Sequence, residues 1–262
     1  MSKPSIRERL AGSPCCLPKQ SREFLYSAYR QIGFTKWEAF SSWAEARHEW
    51  TGDPDEARRE AAGKGIAITS YHLPPIGDDL DAGIANALDA ARFAARLGTP
   101  KIPVLFKANT REIFAKVGKR FLDALDEEGI DVLPVVQNHK GTAITTLEDY
   151  REVLDSINDP RLKGILEVGH FQRVGVSWKQ GWDFLGDRIG LIHVNEIRED
   201  GQSVHFGTGE VDFAGLMKQI RESDYAGNIV VELELEKRDP PDETLQGLQR
   251  AFNLLCDLYE NA

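Results

Sequence analysis

Cysteine is scarce: Cys15, Cys16 and Cys256 are the only three in 262 residues. An odd number with two adjacent sulfurs makes a poor disulfide framework, and so few thiols in a chain this long fit a reducing compartment. Long apolar runs are also missing. No stretch approaches about 18 consecutive apolar residues, which argues against a membrane-spanning helix. The first residues, MSKPSIRERLAGSPCCLP, lack the apolar core of a secretory signal. The expectation is a cytoplasmic protein with no membrane partner. Positive charge is short: 32 Lys and Arg stand against 42 Asp and Glu, a net charge of −10. A nucleic-acid partner needs cations to displace the counterions of phosphate, and no Lys/Arg stripe is present, so none is expected. Glycine-rich phosphate loops are missing as well. Gly207-Thr208-Gly209 comes late, lacks a third glycine and follows no strand.

What is present suits a globular chain, 41% apolar and 28% charged. Short β-rich runs alternate with longer amphipathic stretches. Strands are expected at Gly12–Leu17, Thr35–Phe40, Ile66–Tyr71, Lys101–Phe106, Asp131–Gln137, Lys163–Val168, Gly190–Asn195 and Asn228–Glu234. Helical spacing marks Asp81–Leu97, Thr110–Glu128, Asp149–Ile157, Trp178–Leu185, Phe213–Glu222 and Glu243–Leu258, with Asp212 as a cap and Gly98 as a stop. Eight strand-helix units of about 33 residues each predict a parallel (β/α)₈ barrel, an α/β TIM barrel, as a single domain over residues 1–262.

Unusual polar residues fall at the strand ends, where a parallel barrel builds its active site. His72 ends one run, and Gln137, Asn138 and His139 end another. Glu167 and His170 follow a third, His193, Asn195 and Glu196 a fourth, and Glu232 and Glu234 the last; His205 lies in the loop after His193. His48, in a charged stretch, reads as solvated. Glu167 and Glu232 stand between apolar neighbours, where a carboxylate is costly unless it is paired or binds a metal. Two carboxylates and an imidazole converging on one face call for a divalent cation.

These motifs resemble the xylose-isomerase-like TIM-barrel superfamily of sugar phosphate isomerases and epimerases, related to the family 2 AP endonucleases. Gln137-Asn138-His139 matches its Glu-Asn-His and Glu167-Val168-Gly169-His170 its Asp-x-Gly-His. His193-Val194-Asn195-Glu196 matches its His-x-x-Asp, the loop from His205 to Asp212 its His-x-Gly-x-Gly-x-x-Asp, and Val231-Glu232 its final Ile-Glu. The resemblance implies a metal held by Gln137, Glu167, His193 and Glu232. Two carboxylates, one imidazole and one amide favour Mn²⁺ or Mg²⁺, with Zn²⁺ as the alternative. Glu232, Glu167 or His193 would move the proton, and His72, His170, Arg198, Glu38 and His205 are assigned to substrate contact. Trp43 and Trp50 are candidates for a pocket wall. The implied function is a metal-dependent isomerase or epimerase acting on a small polyhydroxylated carbonyl substrate, a sugar, keto-sugar or sugar phosphate, through an enediolate-type intermediate. Oligomers are common among such relatives, so a homodimer or homotetramer is expected.

Two departures matter. Gln137 replaces a carboxylate with an amide that cannot abstract a proton, and Glu167 is one methylene longer than the family's Asp. Loss of one base favours one-face isomerisation, or dehydration of the inosose or dehydroshikimate type, over two-base epimerisation. It also admits a barrel that binds a sugar without turning it over. A zinc endonuclease fits less well: Phe106 and Lys107 stand where a histidine is expected and Ser203 where an aspartate is.

Overall fold

The computed structural model describes residues 3–98 and 100–262. Its elements run α1 (Ile6–Arg9), β1 (Leu10–Gly12), α2 (Arg22–Ile32), β2 (Lys36–Phe40), α3 (Pro54–Gly63), β3 (Ala67–His72), α4 (Leu80–Ala95), β4 (Ile102–Leu105) and α5 (Arg111–Glu127). They continue with β5 (Val132–Gln137), α6 (Leu147–Ile157), β6 (Lys163–Glu167), α7 (Val168–Gln172), α8 (Trp178–Leu185), β7 (Ile189–Asn195), α9 (Phe213–Glu222), β8 (Ile229–Glu232) and α10 (Asp242–Glu260). The strands pair in parallel in sequence order, and β8 pairs with β1 to close the barrel. The eight-unit TIM barrel expected from the repeat is the fold observed. No helix among the described residues is long and apolar enough to cross a membrane.

The first strand differs from expectation. It lies at Leu10–Gly12 rather than Gly12–Leu17, because Pro14 opens a 3₁₀ turn over Pro14–Cys16 whose Ser13 cap accepts from Cys15 N. Strands β6 and β8 stop at Glu167 and Glu232, sooner than expected, and β6 passes directly into α7. Two helices escaped the apolar-stripe criterion. In α3 only alanines, Ala57 and Ala61, are buried, and in α2 three buried residues, Leu25, Tyr26 and Tyr29, sit among charged ones. Ser21 and Asp53 nonetheless cap their N-termini. His48 is not solvated but buried: Tyr26 Oη lies 2.6 Å from its Nε2, and Tyr71 Oη donates to its carbonyl.

The core has two parts. The larger lies between sheet and helices, from Leu10 and Trp37 to Leu255. The smaller plugs the barrel and consists of Ala11, Leu105, Val135, Ile165, Leu191 and Val230. Side chains alternate along a strand, so the residue two places further on faces the same interior. From the six plug positions that step reaches Ser13, Lys107, Gln137, Glu167, His193 and Glu232. The fold thus sets a polar layer directly above an apolar one.

Candidate metal centre

The polar layer draws one residue from each strand, within two positions of its C-terminal end: Ser13, Glu38, His72, Lys107, Gln137, Glu167, His193 and Glu232. His193, fully buried, is its hub. Its Nδ1 lies 3.0 Å from Glu167 Oε2 and 3.5 Å from Glu232 Oε1, and its Nε2 lies 3.0 Å from Glu38 Oε1. Gln137 Nε2 donates to Glu167 Oε2 at 2.9 Å and sits 3.4 Å from His193 Nδ1. Glu38 is also fully buried. It accepts from Ser13 Oγ at 3.1 Å and Ser70 Oγ at 3.3 Å, and His72 Nε2 lies 3.1 Å from its Oε1. A register shift between Trp37 and Glu38 accompanies this inward placement of the carboxylate.

Burial opposes ionisation throughout the layer, and the neighbours decide who wins. For Glu38 the imidazoles of His193 and His72 overcome burial and hold the carboxyl well below the usual range. For Glu232 burial prevails, reinforced by the negative charge of Glu167, and the carboxyl is pushed well up. For His193 burial is outweighed by Glu38 and Glu232, which favour the imidazolium. His72 goes the other way: burial and the Lys107 ammonium bring it down to about 4. Lys107 Nζ lies 3.0 Å from His72 Nδ1, so the neutral ring accepts there and carries its proton on Nε2, toward Glu38.

Among the described residues two groups have the spacing of metal ligands, Glu167–His193–Glu232 and Glu38–His72–His193. The first fits a cation better. Buried atoms without a hydrogen-bond partner occur in both, Glu167 Oε1 in the first and the Nε2 atoms of His72 and His193 in the second, but in the first Gln137 can turn its amide oxygen inward as a fourth donor. His193 would then bind through Nδ1, with Glu38 behind Nε2 orienting the ring. In the second group Glu38 is already engaged by Ser13 and Ser70, and His72 Nδ1 faces an ammonium.

The structure brings Gln137, Glu167, His193, Glu232, Glu38 and His72 together and leaves three candidates apart. His170, on α7, accepts at Nδ1 from Lys140 N and Arg173, and its ring lies tilted against His139 with centroids 3.7 Å apart. Burial lowers it to about 3. Arg198 is half-exposed and pairs with Asp200 and Gln202 in its own turn. His205 faces α10, beside Glu243 and Arg250. Glu196, from the His193–Glu196 motif, staples the following loop by accepting from Gly207 N and Val211 N. A Cβ at Gly209 would meet Glu196 Oε1 at 2.5 Å, so that glycine makes room for the staple. Asp212 caps α9 by accepting from Gly215 N. Trp43 is largely exposed and packs on Phe40, which lies against His72, whereas Trp50 packs partly buried on the core. Ser13 and Lys107, members of the layer, and Ser70, which donates to Glu38 from β3, are residues that motif reasoning did not find. The step of two from Ala11 and Leu105 is the signal that reaches Ser13 and Lys107.

Known proteins share this architecture. A solved structure of a probable 3-DHS dehydratase, AsbF, from Bacillus anthracis superposes with a TM-score of 0.74 at 16% identity, covering 94% of this chain and 98% of that one. A solved structure of the IOLI protein with a bound zinc atom superposes with a TM-score of 0.72 at 14% identity, covering 97% and 98%. At such identities the likeness is one of fold. An L-ribulose 3-epimerase of Methylomonas sp. (strain DH-1) is 28% identical over 115 residues, 44% of this chain, and the match spans 39% of that relative's length. The xylose isomerase-like TIM barrel family profile matches residues 26–254, and the chain belongs to that family.

Proposed function

We propose that this chain is a divalent-metal-dependent isomerase of a small polyhydroxylated carbonyl compound, working through an enediolate-type intermediate. The observation that carries this reading is the convergence of Gln137, Glu167, His193 and Glu232 from the ends of four consecutive strands. One ion, Mn²⁺ or Mg²⁺ with Zn²⁺ as the alternative, held by these four residues would polarise the substrate carbonyl and acidify the neighbouring C–H.

Glu232 is the group that moves the proton, taking it from the carbon beside the carbonyl and returning it on the same face to the former carbonyl carbon, while the proton of the adjacent hydroxyl passes to the former carbonyl oxygen. Glu38 holds the His193 ring in place. Gln137 can orient an oxygen but has no proton-accepting role, so the opposite face lacks a base there. One-face transfer interconverts an aldose and a ketose, whereas inversion at one carbon needs a base on each side. Dehydration uses the same single base, with departure of a β-hydroxyl.

The test is a metal count on protein purified without chelator, followed by NMR in D₂O with ketoses, inososes and sugar phosphates. One divalent ion per chain and solvent deuterium at the carbon beside the carbonyl are expected. No ion, even after Mn²⁺ or Mg²⁺ is added, would leave a ligand-binding barrel. Three zinc ions would indicate the endonuclease class.

A further inference from the structure

Lys107 stands two residues past Leu105 of β4, in the polar layer, half-buried. Among the described residues its Nζ is in hydrogen-bonding contact with His72 Nδ1, at 3.0 Å, and no carboxylate lies within ion-pair distance. Glu38 and Glu232 act on it through space without touching it, and burial brings its pKa down to about 8, so it is a cation at neutral pH. Holding His72 alone would not require an ammonium, since an amide donates equally well without the cost of burying charge.

Lys107 lines a cavity of about 370 Å³ at the ends of β4 and β5, together with Gln137, Asn109, His139 and Thr142. Phe114 and Ile144 add apolar wall, and no aspartate or glutamate lines it. In a chain with 42 acidic residues and a net charge of −10, this is an acid-free recess with a lysine in its lining. Gln137 belongs both to the recess and to the proposed metal centre, so one small molecule can reach both.

We propose that Lys107 anchors an anionic end group of the substrate, a carboxylate or a phosphate ester, in this recess while the carbonyl end lies at the Gln137–Glu167–His193–Glu232 centre. The inference rests on the isomerase reading for the position of the carbonyl end. A charge-assisted contact of this kind strengthens binding by about 10- to 100-fold.

The experiment is calorimetric titration with L-ribulose, L-ribulose 5-phosphate and the keto acid in which C5 of L-ribulose is oxidised to a carboxylate. Wild type is expected to bind at least one anion about 10- to 100-fold more tightly than the neutral ketose, and the stronger anion identifies the end group. Lys107→Met should close the gap without weakening the ketose, and Lys107→Arg should keep most of it. Lys107→Gln, which still donates to His72, separates loss of charge from loss of fold and should also close the gap. A ketose that binds as tightly as both anions, or a gap that survives in the Met and Gln variants, overturns the proposal. Because binding is read without turnover, a preference for anions in a protein that retains no metal would sink the isomerase reading and leave the anion anchor standing.

Discussion

The barrel interior holds two layers made by the same strands and separated by a single step of two residues. The lower is Ala11, Leu105, Val135, Ile165, Leu191 and Val230, all buried. The upper places Ser13, Lys107, Gln137, Glu167, His193 and Glu232 two positions further along those six strands, with Glu38 and His72 completing it from β2 and β3. Below, burial removes apolar surface from water and stabilises the fold. Above, the same burial forces carboxylates together, leaves Glu167 Oε1 unpartnered and pushes Glu232 toward its protonated form. The lower layer is a source of stability, and the upper one a store of unmet polar demand that a cation and a substrate can satisfy.

The sharpest break is expected from Glu232→Gln. Removing the proposed proton carrier should lower turnover by about 10²–10⁴-fold, measured by deuterium exchange on the substrate found in the panel. In the metal-free protein it should leave the urea midpoint unchanged or raise it, since a crowded buried acid is lost. A lowered midpoint would mean that the upper layer stabilises the fold as the plug does.

Leu191→Ala, two residues before His193, probes the other side. A large-to-small change in a closed core should cost about 2–5 kcal/mol in urea unfolding, with the metal count unchanged. Loss of the metal alongside would show that the plug sets the geometry of the layer above it.

The smallest effect is the acid response of His48, a buried imidazole behind the barrel wall. Burial lowers its folded pKa to about 3, below the 6.5 of an unperturbed imidazole. The unfolded chain therefore takes up the proton first, and stability is full above pH 6.5 and falls as pH drops toward 3. At pH 5.5 the loss is about 1.4 kcal/mol. His72 and His170 shift in the same direction. His48→Gln should remove about that amount from the difference between the unfolding free energies measured in urea at pH 7.5 and 5.5. An unchanged difference would place the acid sensitivity entirely in the site.

Much of the site was legible before the fold. Glu167 and Glu232 were conspicuous because a carboxylate between branched aliphatics needs a reason, and His193 because it interrupts Leu-Ile-x-Val. Lys107 was not, because it follows the end of β4 and lysine is common in loops. Glu38 read as a strand-end acid, and only its contacts with His193 and His72 show that its carboxylate links the Nε2 atoms of the two rings. Arg198 and His205 follow β7 much as His170 follows β6, yet Asp200 and Gln202 hold the first in its own turn, and Glu243 and Arg250 flank the second against α10. Chain position alone does not say which way a loop turns.

The alternation of strands with helices, the repeat length and the polar residues at strand ends are properties of the linear chain, because hydrophobic periodicity and residue chemistry are local. They sufficed for a barrel of eight units with its chemistry at one end. Which polar residues meet was decided by closure. The pairing of β8 with β1 and the register shifts at Trp37/Glu38 and Gly164/Ile165 set how far each strand end is turned and raised around the ring. That geometry made His193 the shared hub and put Lys107 against His72, because a contact between side chains 35 residues apart depends on the relative position of two strands and not on either strand's own sequence.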